Sequence, residues 1–302
     1  MDVIDTKMHG RDGITGTFLV RGEQTALVEA GPKSSLEHVL KGLEDAGVER
    51  LDWIAVTHIH LDHAGGAGSL AARFPEAKVA VHEIGAPHLV DPSKLWSSAS
   101  RIYGDKMEEL WGGIDPLPSE RIHPLADGDK IDLGGRSLQA VETPGHARHH
   151  HAFLDDRTGT LFTGDAMGVR LQDVGVMRPA TPPPEFNLED AIASIRRIEQ
   201  LAPASLCLTH FGPTGEGAAP RDVSDACEAA TESLRRWAEW VRKGRETSSS
   251  LDEVAAGVQA RAEESFSASG VTADAVERME QTTSYWMNTW GYMRYFDKLE
   301  KS

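Results

Sequence analysis

Residues 57–66 read Thr-His-Ile-His-Leu-Asp-His-Ala-Gly-Gly, and His58, His60, Asp62 and His63 put four metal-ligand side chains into six positions. Imidazole and carboxylate together suit zinc, iron, manganese or cobalt better than calcium or magnesium. The run before them, Leu51-Asp-Trp-Ile-Ala-Val56, is short, apolar and partly β-branched, which predicts a buried strand that ends where the histidines begin. Side chains two apart on an extended chain share a face, so His58 and His60 can grip one ion while Asp62 and His63 turn toward another. Gly65 and Gly66 would then supply a tight turn. A lone His-x-His is weak evidence, because partly buried histidines commonly bond to backbone alone. Four ligands in one turn are not explained that way.

Three further polar residues stand at the ends of later apolar runs: His146 after Leu138-Gln-Ala-Val-Glu-Thr-Pro-Gly, Asp165 after Gly159-Thr-Leu-Phe-Thr-Gly, and His210 after Leu206-Cys-Leu-Thr. Singly each reads as an ordinary polar residue at a strand end. Together with the first cluster they resemble the metallo-β-lactamase superfamily, whose pattern is His-x-His-x-Asp-His followed by His, Asp and His on later strands. All seven positions occur in order between about residue 14 and about residue 215. The resemblance implies an α/β fold, the αββα sandwich with its metals at one edge. It also implies that His58, His60 and His146 hold one ion, Asp62, His63 and His210 a second, and that Asp165 bridges both. Two divalent ions would be expected, zinc first with iron or manganese as alternatives, together with hydrolysis by attack of a metal-bound hydroxide. Asp62 and Asp165 would be the catalytic carboxylates, Asp62 orienting the nucleophile, with Thr143 as a supporting neighbour.

With 302 residues and 40% hydrophobic content the chain can bury a large core. The first 13 residues are polar and no stretch approaches the ~20 apolar residues of a membrane span, so a soluble cytoplasmic protein is expected. Two cysteines do not make a disulfide framework, and Cys207, inside an apolar run, reads as a small core side chain. The excess of 47 acidic over 31 basic side chains, a formal charge of −16, repels phosphate backbones and counts against nucleic acid as a partner. A small-molecule substrate is expected instead.

The chain divides on paper into a catalytic region, 1–217, and a helical extension, 218–302. Within the first, a hairpin is expected over 16–20 and 25–29, and Ser34 with Glu37 has the form of a capping box for a helix that Gly47 stops. Further strands are expected at 78–82, 130–133, 137–142, 151–154, 160–163 and 205–209, and Asn187 opens another helix. Residues 91–118 stand out as an insertion. Tyr103, Met107 and Trp111 would share one helical face there, packing on the core in preference to forming a substrate lid. In the extension, Val223, Cys227, Ala230, Leu234, Trp237 and Val241 recur at helical spacing, and Ser250 with Glu253 repeats the capping box. Trp286, Trp290 and Met293 form an apolar stripe that would be buried against the sandwich or in a homodimer seam. A helical appendage of this kind is similar to that of glyoxalase II.

That similarity extends to the Thr143-Pro-Gly-His146 turn with His150 beyond it, and it implies a thioester, lactone or related activated ester as substrate. His149 stands where that pattern commonly has glycine, and His151 is expected to belong to the following strand. Arg170 and Arg178, in the segment leaving Asp165, are candidates to receive an anionic substrate, and His150 is a further candidate substrate contact. The alternatives are a persulfide-dioxygenase-like oxidoreductase with a single iron on His58, His146 and Asp165, and a phosphodiesterase.

Overall fold

Short apolar runs bounded by glycine, proline and acidic residues become strands in the computed structural model, which describes residues 2–171, 174, 176–214, 222–268 and 271–301. The chain falls into two compact units, Met1–Glu142 with His149–Phe162, and Thr143–Arg148 with Thr163–Ser302.

In the first unit one sheet has the order β1 (Asp2–Asp5), β2 (Gly16–Arg21), β3 (Thr25–Val28), β4 (Trp53–Ala55), β5 (Lys78–His82) and β6 (Ile122–Leu125). The pairings of β1 with β2 and of β2 with β3 are antiparallel, and from β3 to β6 every pairing is parallel. Parallel neighbours require crossovers. These are α1 (Leu36–Asp45), then α2 (Leu61–Ala64) with α3 (Ala67–Arg73), then α4 (Ala86–Val90), α5 (Ser93–Tyr103) and α6 (Met107–Trp111). A second, antiparallel set pairs β7 (Lys130–Asp132), β8 (Ser137–Glu142), β9 (His151–Asp155) and β10 (Thr160–Phe162) in chain order. Phe18 of β2 and Phe162 of β10 meet with ring centroids 5.5 Å apart, both fully buried, so the two sets share an apolar layer. A separate core holds Leu19, Leu27, Ile54, Val79 and Val81 of the first sheet against Val39 and Leu43 of α1 and Leu70 of α3.

The second unit contains α7 (Leu188–Leu201), the hairpin of β11 (Ser205–Leu208) with β12 (Gly212–Pro213), and the helices α8 (Val223–Thr247), α9 (Leu251–Ala268), α10 (Ala273–Thr282) and α11 (Tyr285–Leu299). Asn187 caps α7 by accepting from the Asp190 N–H at 3.1 Å, and Ser250 caps α9 by accepting from the Glu253 N–H at 3.4 Å. Helix α8 buries Cys227, Ala230, Leu234, Trp237 and Val241 of the stripe its spacing predicts, while Val223 at its first turn is half-buried. Cys207 and Cys227 are buried free thiols, and burial with the nearby Glu199 charge pushes the Cys227 thiol up to about 12. No helix of the described residues is long and apolar enough to cross a membrane.

Several local expectations are corrected. Ser34 does not cap α1; its hydroxyl donates to the Leu110 carbonyl at 2.7 Å, and the helix opens at Leu36 without a side-chain cap. Gly65 and Gly66 have ordinary negative φ, and Gly66 is needed for close approach instead: a Cβ there would lie 2.9 Å from the Ala30 carbonyl oxygen. Tyr103, Met107 and Trp111 do not share one helix, because Gly104, at φ 55°, separates α5 from α6. They still converge: Met107 and Trp111 pack with Met8, Ile14 and Leu61, and Tyr103 meets Trp111 edge-on at 5.2 Å. On α11 the buried face carries Tyr285, Asn288, Thr289, Tyr292, Tyr295 and Phe296, whereas Trp286 is 37% exposed and Trp290 and Met293 are half-buried. Tyr292 and Tyr295 can be buried because their hydroxyls find acceptors, the Leu234 carbonyl at 2.8 Å and Glu189, whereas the buried Tyr285 hydroxyl has no hydrogen-bond partner among the described residues. The Trp286 indole donates instead to Asp252 of α9 at 2.8 Å. The boundary expected at residue 217 lies outside the described residues.

One buried ion pair gives the first unit a pH-dependent stability. Asp155, fully buried, is held by the Arg136 guanidinium, the Thr158 hydroxyl and the Arg157 N–H. Burial works to raise its pKa, but these donors together hold it below the usual carboxylate value. Its stabilisation is therefore complete above the unfolded pKa, about 3.9, and is lost as pH falls through the lower folded value. Asp155→Asn is expected to cost about 3 kcal/mol at pH 7, and urea titrations from pH 7 down to pH 3 should show the gap to wild type narrowing at the acid end.

Candidate metal centre

Parallel strands present their carboxyl ends on one side of a sheet, where ligands usually bind, and β3 and β4 deliver the first half of the site there. Glu29 follows β3 at φ 68°, a left-handed conformation uncommon for any residue but glycine. Its fully buried side chain offsets that strain with three bonds. Oε1 accepts from Thr57 Oγ1 at 2.7 Å and pairs with His63 Nδ1 at 2.9 Å, and Oε2 accepts from the Thr57 N–H at 3.2 Å. A hydroxyl has one proton. Since Thr57 donates its own to Glu29, its oxygen must accept from His58 Nδ1, 3.0 Å away. Glu29 thus places the protons of His58 and His63 on Nδ1, which makes Nε2 the lone-pair nitrogen of each ring.

The remaining geometry of this half is tight. His58 Nε2 and His60 Nδ1 approach to 2.9 Å, the His58 and His63 rings pack with centroids 4.0 Å apart, and Asp62 Oδ2 lies 3.5 Å from His63 Nε2. His60 is extended and α2 begins at Leu61, so Asp62 and His63 sit on the first helical turn. The Ala30 N–H donates to the His63 carbonyl at 2.8 Å, tying that turn to the residue after Glu29. His150, expected as a substrate contact, is fully buried with its ring 4.9 Å from that of His58. His151 opens β9, as expected; burial and the neighbouring His82 push its pKa down to about 3, so it is neutral. Tyr103 and His9 both feel the Asp62 charge, which brings the 91–118 insertion to the edge of the cluster as well as to the core.

The second unit carries the other three expected ligands. Asp165 sends one carboxylate oxygen toward each neighbouring imidazole: Oδ2 lies 3.5 Å from His146 Nε2 and Oδ1 lies 3.4 Å from His210 Nε2. His146 Nδ1 donates to the Ala180 carbonyl at 2.9 Å, which directs Nε2 to Asp165. The backbone of His210 is fixed by Arg170, whose N–H donates to the His210 carbonyl at 2.6 Å and whose carbonyl accepts from the Phe211 N–H at 2.8 Å. A cavity of about 10 Å³, room for roughly one water, is lined by His146, Asp165, Met167, Arg178 and Leu234 among others.

The two arginines singled out as anion partners are fully or almost fully buried. Arg170 also donates from Nη2 to the Pro213 carbonyl at 3.2 Å. Arg178 pairs with Glu280 and stacks over Tyr285, 3.9 Å from the ring centroid, with Trp237 at 5.4 Å. Arg178 therefore serves the packing of the helical region. Thr143 is buried.

The donor set fits a transition metal. His63 and His146 each have Nδ1 bonded to an oxygen of the protein, the arrangement that orients a ligating histidine and raises its basicity. All seven expected ligands recur among the histidine and carboxylate groupings that could hold a metal ion. Glu29 is absent from the residues that the sequence singles out; the available signal is a carboxylate ending an apolar strand, Ala26-Leu-Val-Glu-Ala-Gly31. Glu29→Ala, which strands three buried donors, is expected to destabilise the metal-free protein by about 2 kcal/mol. Glu29→Gln, which keeps the shape and one acceptor, should lose less, as measured by urea unfolding after chelation.

The metallo-beta-lactamase superfamily model matches residues 9–210. Metallo-beta-lactamase fold-containing protein ST1585 of Sulfurisphaera tokodaii is 31% identical over 204 residues, 66% of this chain and 73% of that protein. The crystal structure of ST1585 from Sulfolobus tokodaii superposes with a TM-score of 0.65 over 93% of each chain at 24% identity, a likeness of fold. A hydroxyacylglutathione hydrolase of Aeromonas hydrophila is 32% identical over 150 residues, 50% of this chain and 45% of its own. The atrochrysone carboxyl ACP thioesterase of Aspergillus fumigatus is 27% identical over 189 residues, 62% and 47% of the respective chains. With its two sheets, its helices and its helical C-terminal region, this chain belongs to the metallo-β-lactamase superfamily.

Proposed function

We propose that the chain is a dinuclear metal-dependent hydrolase of a thioester, lactone or related activated ester. In this reading His58, His60 and His146 would hold one ion, Asp62, His63 and His210 would hold the other, and Asp165 would serve both. The observation that carries it is the two-sided Asp165 carboxylate, one oxygen beside His146 and the other beside His210. Two divalent ions held by such a set, zinc before iron or manganese, would supply Lewis acidity toward the ester carbonyl and lower the pKa of the attacking water to about 7.

The chain's own groups do the rest. Asp62, with its side chain 14% exposed and so reachable by solvent, accepts a hydrogen bond from the attacking water and aims it. Glu29 and the Ala180 carbonyl keep the ligand imidazoles in the tautomer that offers Nε2. The thioesterase and the hydroxyacylglutathione hydrolase among the relatives favour a thioester, and the −16 formal charge disfavours phosphodiesters.

Elemental analysis of the purified protein is expected to give about two transition-metal ions per chain, and a panel of thioesters, lactones, β-lactams and phosphodiesters should show hydrolysis of the first two classes. Asp165→Ala should lose metal and hydrolysis together, whereas folded His151→Ala should keep wild-type metal content. One iron per chain with oxygen consumption would overturn the proposal, as would a preference for phosphodiesters.

A further inference from the structure

The segment Arg178-Pro-Ala-Thr-Pro-Pro-Pro184 carries the carbonyl that orients His146, yet between residues 179 and 184 only Ala180 and Thr181 have a backbone N–H. Proline supplies no donor, so a ladder of backbone bonds cannot hold this stretch and its position must come from elsewhere. Asn288, on the buried face of α11 and 1% exposed, provides it. Its Nδ2 donates to the Pro179 carbonyl at 2.7 Å, and its Oδ1 accepts from the Thr181 N–H at 2.9 Å. The Thr181 hydroxyl shares its one proton between the Asn288 carbonyl and Oδ1, each at 3.1 Å. The two ends of the amide thus grip the residues on either side of Ala180. Only one orientation of the amide satisfies both, because a carbonyl can only accept and an N–H can only donate. One turn on, Gly291 lets the helix approach closely: a Cβ there would lie 1.7 Å from the Thr181 carbonyl oxygen.

We propose that Asn288 is a positioning residue for the metal ligand His146: by clamping residues 179 and 181 it sets the Ala180 carbonyl, which holds His146 Nδ1 and aims Nε2 toward Asp165. The inference rests on the reading of His146 as a ligand. It makes the C-terminal helix part of the centre, and by reciprocity it makes metal binding tighten the contact of α11 with this segment.

The metal-free protein tests the first link. Long-range ¹H–¹⁵N spectra of the histidine rings should show His146 protonated on Nδ1 in the wild type and as a tautomer mixture in Asn288→Ala. In the loaded protein, competition with a chromophoric chelator should show one ion bound about 10- to 100-fold more weakly in the variant and the other nearly unchanged. Turnover of a thioester should fall in kcat with little change in KM. Trp286→Phe, on the same helix but off the clamp, should match the wild type throughout. Hydrogen exchange on the wild type keeps the test open should Asn288→Ala not fold: zinc added to metal-free protein is expected to slow exchange at the Thr181 amide and along α11. An unchanged His146 tautomer with both affinities intact in folded Asn288→Ala would overturn the inference, as would the absence of zinc-dependent protection in the wild type. A wild-type protein that binds no metal would overturn the proposed function, and the tautomer of His146 would still decide the clamp.

Discussion

A neutral imidazole has one lone pair, and everything at this centre depends on which nitrogen keeps it. His58, His60 and His63, packed against one another in the first unit, would otherwise share protons among themselves, as the 2.9 Å approach of His58 Nε2 to His60 Nδ1 shows. Acceptors placed behind the rings decide the matter. Glu29 does so directly for His63 and through the Thr57 hydroxyl for His58, and the Ala180 carbonyl does so for His146. A sheet is suited to this task because the ends of β3 and β4 are neighbours, which brings Glu29 and Thr57 together across 28 residues of sequence. The left-handed backbone of Glu29 is the strain that such placement entails.

The candidate ligands were legible because they are chemically distinctive and four of them are local in sequence. The acceptors behind them were not. Glu29 is one carboxylate among 47 acidic residues, and a backbone carbonyl such as that of Ala180 has no residue identity at all. The interior strands were readable from their apolar runs, whereas β1 and β6 were not. Both are sheet edges, β1 with its first two residues exposed and β6 interrupted by Pro124, so neither shows the alternation of a buried strand. The periodicity of 91–118 pointed to the right cluster by the wrong route, because Gly104 breaks the helix and the chain refolds to bring Tyr103 back to Trp111.

The C-terminal region teaches a different lesson. Hydrophobicity alone ranks tryptophan and methionine above tyrosine, and the pattern therefore favoured Trp286, Trp290 and Met293 as the buried face. The structure buries the tyrosines, because each of Tyr292 and Tyr295 can leave its ring in the apolar layer and its hydroxyl on an acceptor. Arg178 follows the same logic. A guanidinium in a strongly acidic protein invites a reading as an anion receptor, but with Glu280 beside it and Tyr285 beneath it the charge is already neutralised and stacked.

The two thiols stand apart from all of this. Cys207 and Cys227 are buried, and with the Cys227 thiol raised to about 12 almost none of it is thiolate at neutral pH. Thiolate is the form that alkylates, oxidises and captures soft metals. The proposed ligands of the centre are nitrogen and oxygen alone, so disulfide reagents have no thiol to attack among them. Purification without reductant is therefore expected to leave both buried thiols intact, which matters because dithiol reductants are themselves chelators that would compete for the proposed ions.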